Sequence, residues 1–247
     1  LKYQVKLNLN TMKFTIGGFT HKGTGIYQSN EDNMLINGFQ SNDGMHFVHD
    51  AAECICFVSD GVGGNSAGDF ASAFIIAKIK NAALEQLANL KEYLETANEE
   101  LIAISTQDNT MRGCACTLSG IIINSEFQNI IHVGDSEIWL FRDEMFYKIT
   151  QDEVLDPDDW HSPITNYFGS TKNNLKIKTS YTYPSPAQGD IFVICSDGLF
   201  KSLKSKVVKP IISAEISIEE KVQQLHDACL IAGAEDNVTA IIVELLL

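Results

Sequence analysis

The 247-residue chain carries 18 Lys and Arg against 32 Asp and Glu, a formal net charge of −14, with 45% hydrophobic and 20% charged residues. This is the composition of a folded globule with chain enough to bury a core, outside the disordered class. Its acidity argues against a nucleic-acid partner, whose phosphates draw on clustered Lys and Arg. No apolar run approaches the roughly 20 residues that cross a bilayer, and the N-terminus lacks the apolar stretch of a signal peptide, so no membrane association is expected. Divalent cations are a better use for the excess carboxylates.

Taken in chain order, residues 1–12 read as an N-terminal extension, since the chain starts at Leu1 and its first methionine is Met12. Residues 13–247 read as one domain, because no repeat, low-complexity tract or Pro/Gly/Ser linker interrupts them. Runs of β-branched and aromatic residues predict strands at 14–19, 33–36, 54–59, 114–123, 130–133, 138–141, 175–183, 191–195 and 238–246. A capping box at 66–69 predicts a helix carrying Phe70, Ala71, Phe74 and Ile75, and Leu90, Leu94, Ala97, Leu101 and Ile104 mark the core face of a second, antiparallel to it. Four lysines between 201 and 209 read as a solvated helix face. A late helix opens at Ser217, carries Val222, Leu225, Cys229 and Ala232, and stops at Gly233. Strands, a helical pair, more strands and a late helix predict an α+β layered sandwich with helices over the outer faces of packed sheets. The six cysteines sit in apolar stretches without CxxC spacing, which favours buried, reduced thiols and a cytosolic protein over disulfides or zinc.

One phrase occurs twice: an apolar run ending in Ser59-Asp60-Gly61 and again in Ser196-Asp197-Gly198. A buried strand that ends this way puts a carboxylate at a sheet edge, and the glycine admits close approach to the backbone. Two further acidic turns precede strands, Asn30-Glu31-Asp32-Asn33 and Glu235-Asp236-Asn237. Each alone is ordinary turn chemistry. If the strand ends converge, Glu31, Asp60, Asp197 and Asp236 form an oxygen-only cluster whose repulsion a cation relieves. Mg²⁺ or Mn²⁺ matches such donors, whereas zinc wants His or Cys. The histidines, at 21, 46, 49, 132, 161 and 226, show no paired ligand spacing and read as surface or core residues.

These phrases occur in a fixed order with others: 58–64, 67–72, His132-Val133-Gly134-Asp135-Ser136, 149–152, 166–169, 189–199 and 235–239. In that order the chain, from about Gly17 to Leu247, resembles the metal-dependent Ser/Thr protein phosphatases (PPM, type 2C) in their bacterial single-domain form. The resemblance implies a four-layer α-β-β-α sandwich, two central antiparallel sheets flanked by helices, with metals at one edge. It implies that Asp60 bridges two Mg²⁺ or Mn²⁺ ions, that Asp197 and Asp236 complete one, and that Glu31 and the Gly61 carbonyl hold the other, with Asp32 behind them. A water between the ions then hydrolyses phosphoserine or phosphothreonine without a phospho-enzyme intermediate. Gly63 and Gly64 would let the turn pass close to the metals, and Asp135 would serve its own strand turn.

Three positions depart from the family. Tyr27 stands where an arginine commonly grips the phosphate, and a phenol offers no charged fork; His21 or Lys22 of the same loop are the candidate substitutes. Thr110 stands where many bacterial members have an Asp for a third metal, which leaves that ion in doubt, and Val62 stands where animal-type members carry a histidine. The segment 152–171 corresponds to the family's variable flap, where Asp156, Asp158 and Asp159 would repel acidic phosphopeptides if they face the site, and Trp160 anchors the loop. Trp139 is expected in the core. The resemblance further implies a cytoplasmic monomer acting on a phosphorylated protein, with a cognate Ser/Thr kinase. The competing reading is a pseudophosphatase, a regulatory binding module weakened at Tyr27; the intact carboxylates weigh against it.

Overall fold

The computed structural model describes residues 12–26, 28–62, 67–159, 162–170, 175–180 and 185–246. Two six-stranded sheets dominate it. One runs in the order β11 (Met145–Lys148), β10 (Glu137–Arg142), β13 (Ile191–Cys195), β14 (Val238–Leu246), β1 (Lys13–His21), β4 (Gly44–Ala51). The other runs β12 (Lys178–Ser180), β9 (Gln128–Val133), β8 (Leu118–Ile123), β5 (Cys54–Ser59), β2 (Asn33–Ile36), β3 (Phe39–Ser41). All of these pairings are antiparallel.

Alternation along the strands builds three apolar layers. Between the sheets lie Phe14 and Ile16 of β1, Cys54, Cys56 and Val58 of β5, Ile121 and Ile123 of β8, and Ile241, Val243 and Leu245 of β14. The opposite face of the second sheet, with Phe57, Leu118 and Ile122, packs on α1 (Gly68–Lys80), α2 (Leu84–Ala88) and α3 (Leu90–Gln107). The opposite face of the first, with Phe19, Val193, Ala240 and Ile242, packs on α4 (Gly198–Ser202), α5 (Ser205–Ser213) and α6 (Ile218–Ala232). The result is the four-layer α-β-β-α sandwich. Met12 is 2% exposed within the inter-sheet core, so the packed fold already includes the last residue assigned to the extension; residues 1–11 lie outside the described residues.

Strands 33–36, 54–59, 191–195 and 238–246 have the boundaries read from sequence. The run 114–123 instead divides into β7 (Ala115–Cys116) and β8 at Thr117, and β7 pairs with β6 (Gly61–Val62) in a separate ribbon. Of 175–183, only 178–180 is strand among the described residues. The helix at 68–80 starts from Ala67 with no side-chain cap, where a capping box was expected; Ser66 lies outside the described residues, and the Asp69 carboxylate accepts the Phe70 N–H at 2.7 Å. Leu90, Leu94, Ala97 and Leu101 are buried along α3 as a stripe. At α6 the Ser217–Glu220 capping box is complete, and Gly233 ends the helix at φ 109°. All six cysteines are buried and free. Trp139 lies on the outer face of its sheet between Phe146 and Phe200, 4.9 and 4.7 Å away, its indole N–H donated to Glu137. Among the described residues no helix is long and apolar enough to cross a membrane.

Candidate metal centre

Antiparallel register brings the four acidic turns to one edge of the sandwich. In one sheet Asn33 at the start of β2 pairs with Ser59 at the end of β5, so Glu31-Asp32 and Asp60 leave the sheet side by side. In the other, Cys195 at the end of β13 pairs with Ala240 near the start of β14, which sets Asp197 beside Asp236. Glycine is needed after Asp197, because a Cβ on Gly198 would stand 1.9 Å from the Asn237 carbonyl oxygen. After Asp60, a Cβ on Gly61 would stand 2.4 Å from the carbonyl carbon of Gly68, where α1 begins.

Buried hydrogen bonds lock the two edges together. Asp32, 0% exposed, accepts at Oδ2 from the Ser196 and Thr239 hydroxyls, both at 2.7 Å, so one sheet's carboxylate is held by the other sheet. Asn237 accepts the Glu31 N–H at 2.8 Å through Oδ1 and donates through Nδ2 to the Lys22 carbonyl at 2.7 Å. The Ser72 hydroxyl donates to the Glu31 carbonyl at 2.5 Å, tying this turn to α1. Thr117, the residue that splits the expected strand, accepts the Asp60 N–H at 3.1 Å and donates its own N–H to the Asp60 carbonyl at 2.9 Å.

The electrostatics are those of crowded, desolvated carboxylates. Burial lifts Asp60 well above the usual carboxylate range, and Asp32, Asp197, Asp135 and Asp236 add repulsion. Burial pushes Asp32 up to about 7 against its two hydroxyl bonds, with Asp197 and Asp236 raising it further. Asp135 also rises to about 7, by burial and then by Asp197, with Lys201 opposing. Glu31 is raised by burial, then by Asp69 and Asp236. Asp197 is raised by burial against the pull of Lys201. Asp32 Oδ1 and Asp197 Oδ1 are buried without a hydrogen-bond partner, a cost that buried polar atoms rarely bear.

Lys201 adds a contact to the solvated face read for its segment. All four lysines are exposed, and Lys201 Nζ also lies 2.7 Å from Asp197 Oδ2 and 2.6 Å from Asp236 Oδ2. Desolvation works against its charge, yet the two carboxylates outweigh it and hold its pKa above the usual lysine range. The sequence signal was the i, i+4 spacing of Asp197 and Lys201 at a helix start. Asp135, expected to serve its strand turn, also lines, with Asp197 and Lys201, both a cleft of about 1220 Å³ and a neighbouring cavity of about 490 Å³. Ser196, Thr239 and Asn237, which orient the acidic residues, flank them in sequence; only the fold shows them bridging two sheets.

Val62, Asp236 and flap residues Ser162, Pro163 and Ile164 line the larger cleft, and Asp152, Asp158 and Asp159 line the smaller. Asp156 instead accepts the Asp158 N–H at 3.1 Å within the flap. Neither His21 nor Lys22 lines either cavity. His21 accepts the Gly23 N–H at 2.9 Å through Nδ1 and sets its ring edge-on to His226 at 5.5 Å. Asp108 is occupied by the Thr110 N–H and hydroxyl, at 2.8 and 2.7 Å. Tyr27, Gly63, Gly64, Trp160 and His161 lie outside the described residues.

As they stand, no three His, Cys, Asp or Glu side chains among the described residues form a finished ion-binding group. Lys201 supplies the positive charge between Asp197 and Asp236. The donors nevertheless fit a hard divalent cation: all are oxygens, two buried carboxylate oxygens lack partners, and a lysine already neutralises part of the cluster.

Comparison with known proteins agrees with this architecture. A sequence profile described as Protein phosphatase 2C matches residues 32–231. The Ser/Thr protein phosphatase PstP of Mycobacterium tuberculosis is 24% identical over 205 residues, 76% of this chain and 40% of PstP, so the chain spans well under half of that relative. Protein phosphatase PhpP of Streptococcus pneumoniae is 25% identical over 220 residues, 81% of this chain and 89% of PhpP. In fold, PppA, described as a key regulatory component of the T6SS in Pseudomonas aeruginosa, superposes with a TM-score of 0.77 at 23% identity, covering 95% of this chain and all of that one. The catalytic domain of a PstP phosphatase, solved with two manganese ions, gives 0.75 at 20% identity over 96% of this chain and all of that one. With the profile spanning most of its length, the chain belongs to the protein phosphatase 2C family.

Proposed function

We propose that this chain is a Mg²⁺- or Mn²⁺-dependent phosphatase that hydrolyses phosphoserine and phosphothreonine in proteins. One observation carries the reading: Glu31, Asp60, Asp197 and Asp236 leave adjacent strand ends at one edge of the sandwich, beside a cleft, with Asp197 Oδ1 and the neighbouring Asp32 Oδ1 lacking partners. In this reading Asp60, Asp197, Asp236, Glu31 and the Gly61 carbonyl would hold two such ions, with Asp60 shared between them. When bound, such ions supply an activated water for in-line attack on phosphorus and offset the charge of the phosphoryl group.

The remaining work falls to the chain. Asp32 fixes the relative position of the two ligand pairs, because its Oδ2 is held by hydroxyls of the opposite sheet. Asn237 holds the Glu31 backbone and so sets where that carboxylate starts. Asp158 and Asp159 make the cavity wall negative, which disfavours acidic phosphopeptides. The domain is taken as residues 13–247, and the protein as a cytoplasmic monomer paired with a Ser/Thr kinase. A third ion is left out, since Thr110 replaces the expected carboxylate. Retention of all four carboxylates supports turnover over a purely regulatory role.

The test is hydrolysis of p-nitrophenyl phosphate and of a phosphothreonine peptide, with Mn²⁺ and with EDTA. Turnover that needs Mn²⁺ and is lost in Asp197→Ala supports the proposal. Equal turnover in EDTA, or none on either substrate with Mn²⁺ bound, refutes it.

A further inference from the structure

Among the described residues, Lys201 is the only basic side chain lining either cavity. It stands on α4, four residues after Asp197, and its single ammonium spans Asp197 Oδ2 at 2.7 Å and Asp236 Oδ2 at 2.6 Å. These carboxylates come from different strand ends, the end of β13 and the approach to β14, so the lysine joins two of the carboxylates that the reading above assigns to the ions. Two other acidic residues lining the smaller cavity have their own cation: Lys148 lies 2.7 Å from Glu137 and 2.5 Å from Asp152. Phe200 packs on Trp139 at 4.7 Å, which anchors the short helix and leaves the lysine side chain as the part free to move. A cation that takes both Oδ2 atoms must displace Nζ, because two positive charges cannot share that position.

We propose that Lys201 is a positioning residue: an internal counter-cation that holds Asp197 and Asp236 together and is exchanged for a divalent ion when the site loads. The proposal rests on the metal-site reading above. It makes metal binding a replacement of one cation by another, so removing the lysine must tighten binding. A purely structural lysine would leave binding unchanged, or weaken it on removal.

Two measurements test this on the intact chain. The first is calorimetric titration of Mn²⁺ into chelator-treated wild type, Lys201→Gln and Lys201→Met, with Lys204→Gln as a control for the general loss of one positive charge; Lys204 is exposed and lies three residues on. The expected result is a Kd about tenfold lower in both Lys201 variants, about 1.4 kcal/mol, and within twofold of wild type in the control. The second is acetylation of wild-type lysines read by mass spectrometry, in EDTA and in Mg²⁺. Lys201 should react several-fold faster in Mg²⁺ while Lys148 does not change. Lys201 variants that bind Mn²⁺ no more than twofold tighter than wild type, or a Lys201 reactivity indifferent to Mg²⁺, would overturn the proposal. Absence of Mn²⁺ binding in every protein would instead overturn the metal-site reading beneath it.

Discussion

Raising the pH of the chelator-treated protein from 6 to 8 should destabilise it, and Asp32 sets the size of the effect. This carboxyl is 0% exposed between the sheets, with Oδ2 on two hydroxyls and Oδ1 without a partner. Burial lifts its pKa to about 7, against about 3.9 in an unfolded chain. Between those values the folded protein holds a proton that the unfolded chain has lost. The contribution to stability is therefore complete below about pH 4 and disappears as pH rises through about 7. From pH 6 to 8, one group titrating at 7 removes about 1.4 kcal/mol. For a chain of this size that lowers Tm by about 3–5 °C. Asp60 and Asp135, also raised, act with the same sign. Differential scanning calorimetry in EDTA at pH 6, 7 and 8 measures the trend for wild type and for Asp32→Asn, which cannot titrate. Mn²⁺ should reverse the slope, since metal binding favours the deprotonated carboxylates. A wild-type Tm that is flat or rises with pH, or an Asp32→Asn protein with the full wild-type slope, would refute the reasoning.

Three substitutions probe the packing around the site and the core. Gly68→Ala places a Cβ 2.5 Å from Glu31 Oε2; because alanine suits a helix, Tm should stay within about 2 °C while the Mn²⁺ Kd rises several-fold, and an unchanged Kd would show that Glu31 is not needed there. Gly120→Ala drives a Cβ to 2.1 Å from Phe57 Cδ1 and 2.5 Å from the Cys56 carbonyl oxygen, so urea unfolding should show a loss of about 1–3 kcal/mol or more. Arg142 pairs with Asp190, which is 1% exposed, through Nε at 2.6 Å and Nη2 at 2.5 Å. Arg142→Ala leaves that buried charge without its cation, with only the Ala187 N–H at 2.7 Å as partner among the described residues, and should cost about 3–5 kcal/mol in the same assay.

Central strands were legible because both of their faces are buried. The segments 33–36, 54–59, 191–195 and 238–246 are continuous apolar runs bounded by turn residues, and their limits follow directly. Of the unread strands, β6 is a two-residue piece of the small ribbon, and β3, β4 and β11 are at the edges of the large sheets, where burial is partial: β4 carries Met45 and Phe47 but also His46, His49 and Asp50. The break at Thr117 could not be read from residue type, because threonine suits a strand; it is made by hydrogen bonds to Asp60, 57 residues earlier. The acidic turns were visible as strand punctuation, and antiparallel pairing explains why they meet. The pairing of Lys201 escaped because the segment is a solvated lysine face, and only the fold brings Asp236, from the turn before β14, within 2.6 Å of one of those lysines. Asp135 escaped for the related reason that Gly-Asp-Ser is ordinary turn chemistry until the flap closes a cavity over it.

The central claim is that strand-end carboxylates hold two divalent ions around Asp60. Anomalous diffraction from crystals soaked in Mn²⁺, recorded above and below the manganese edge, tests it most directly. The account predicts two peaks, one on each side of the Asp60 carboxylate, the first also touching Asp197 and Asp236 and the second Glu31 and the Gly61 carbonyl, with the Lys201 ammonium turned away. Soaked crystals with no manganese peak in contact with Asp60, or with Lys201 still between Asp197 and Asp236 beside a bound ion, would contradict it.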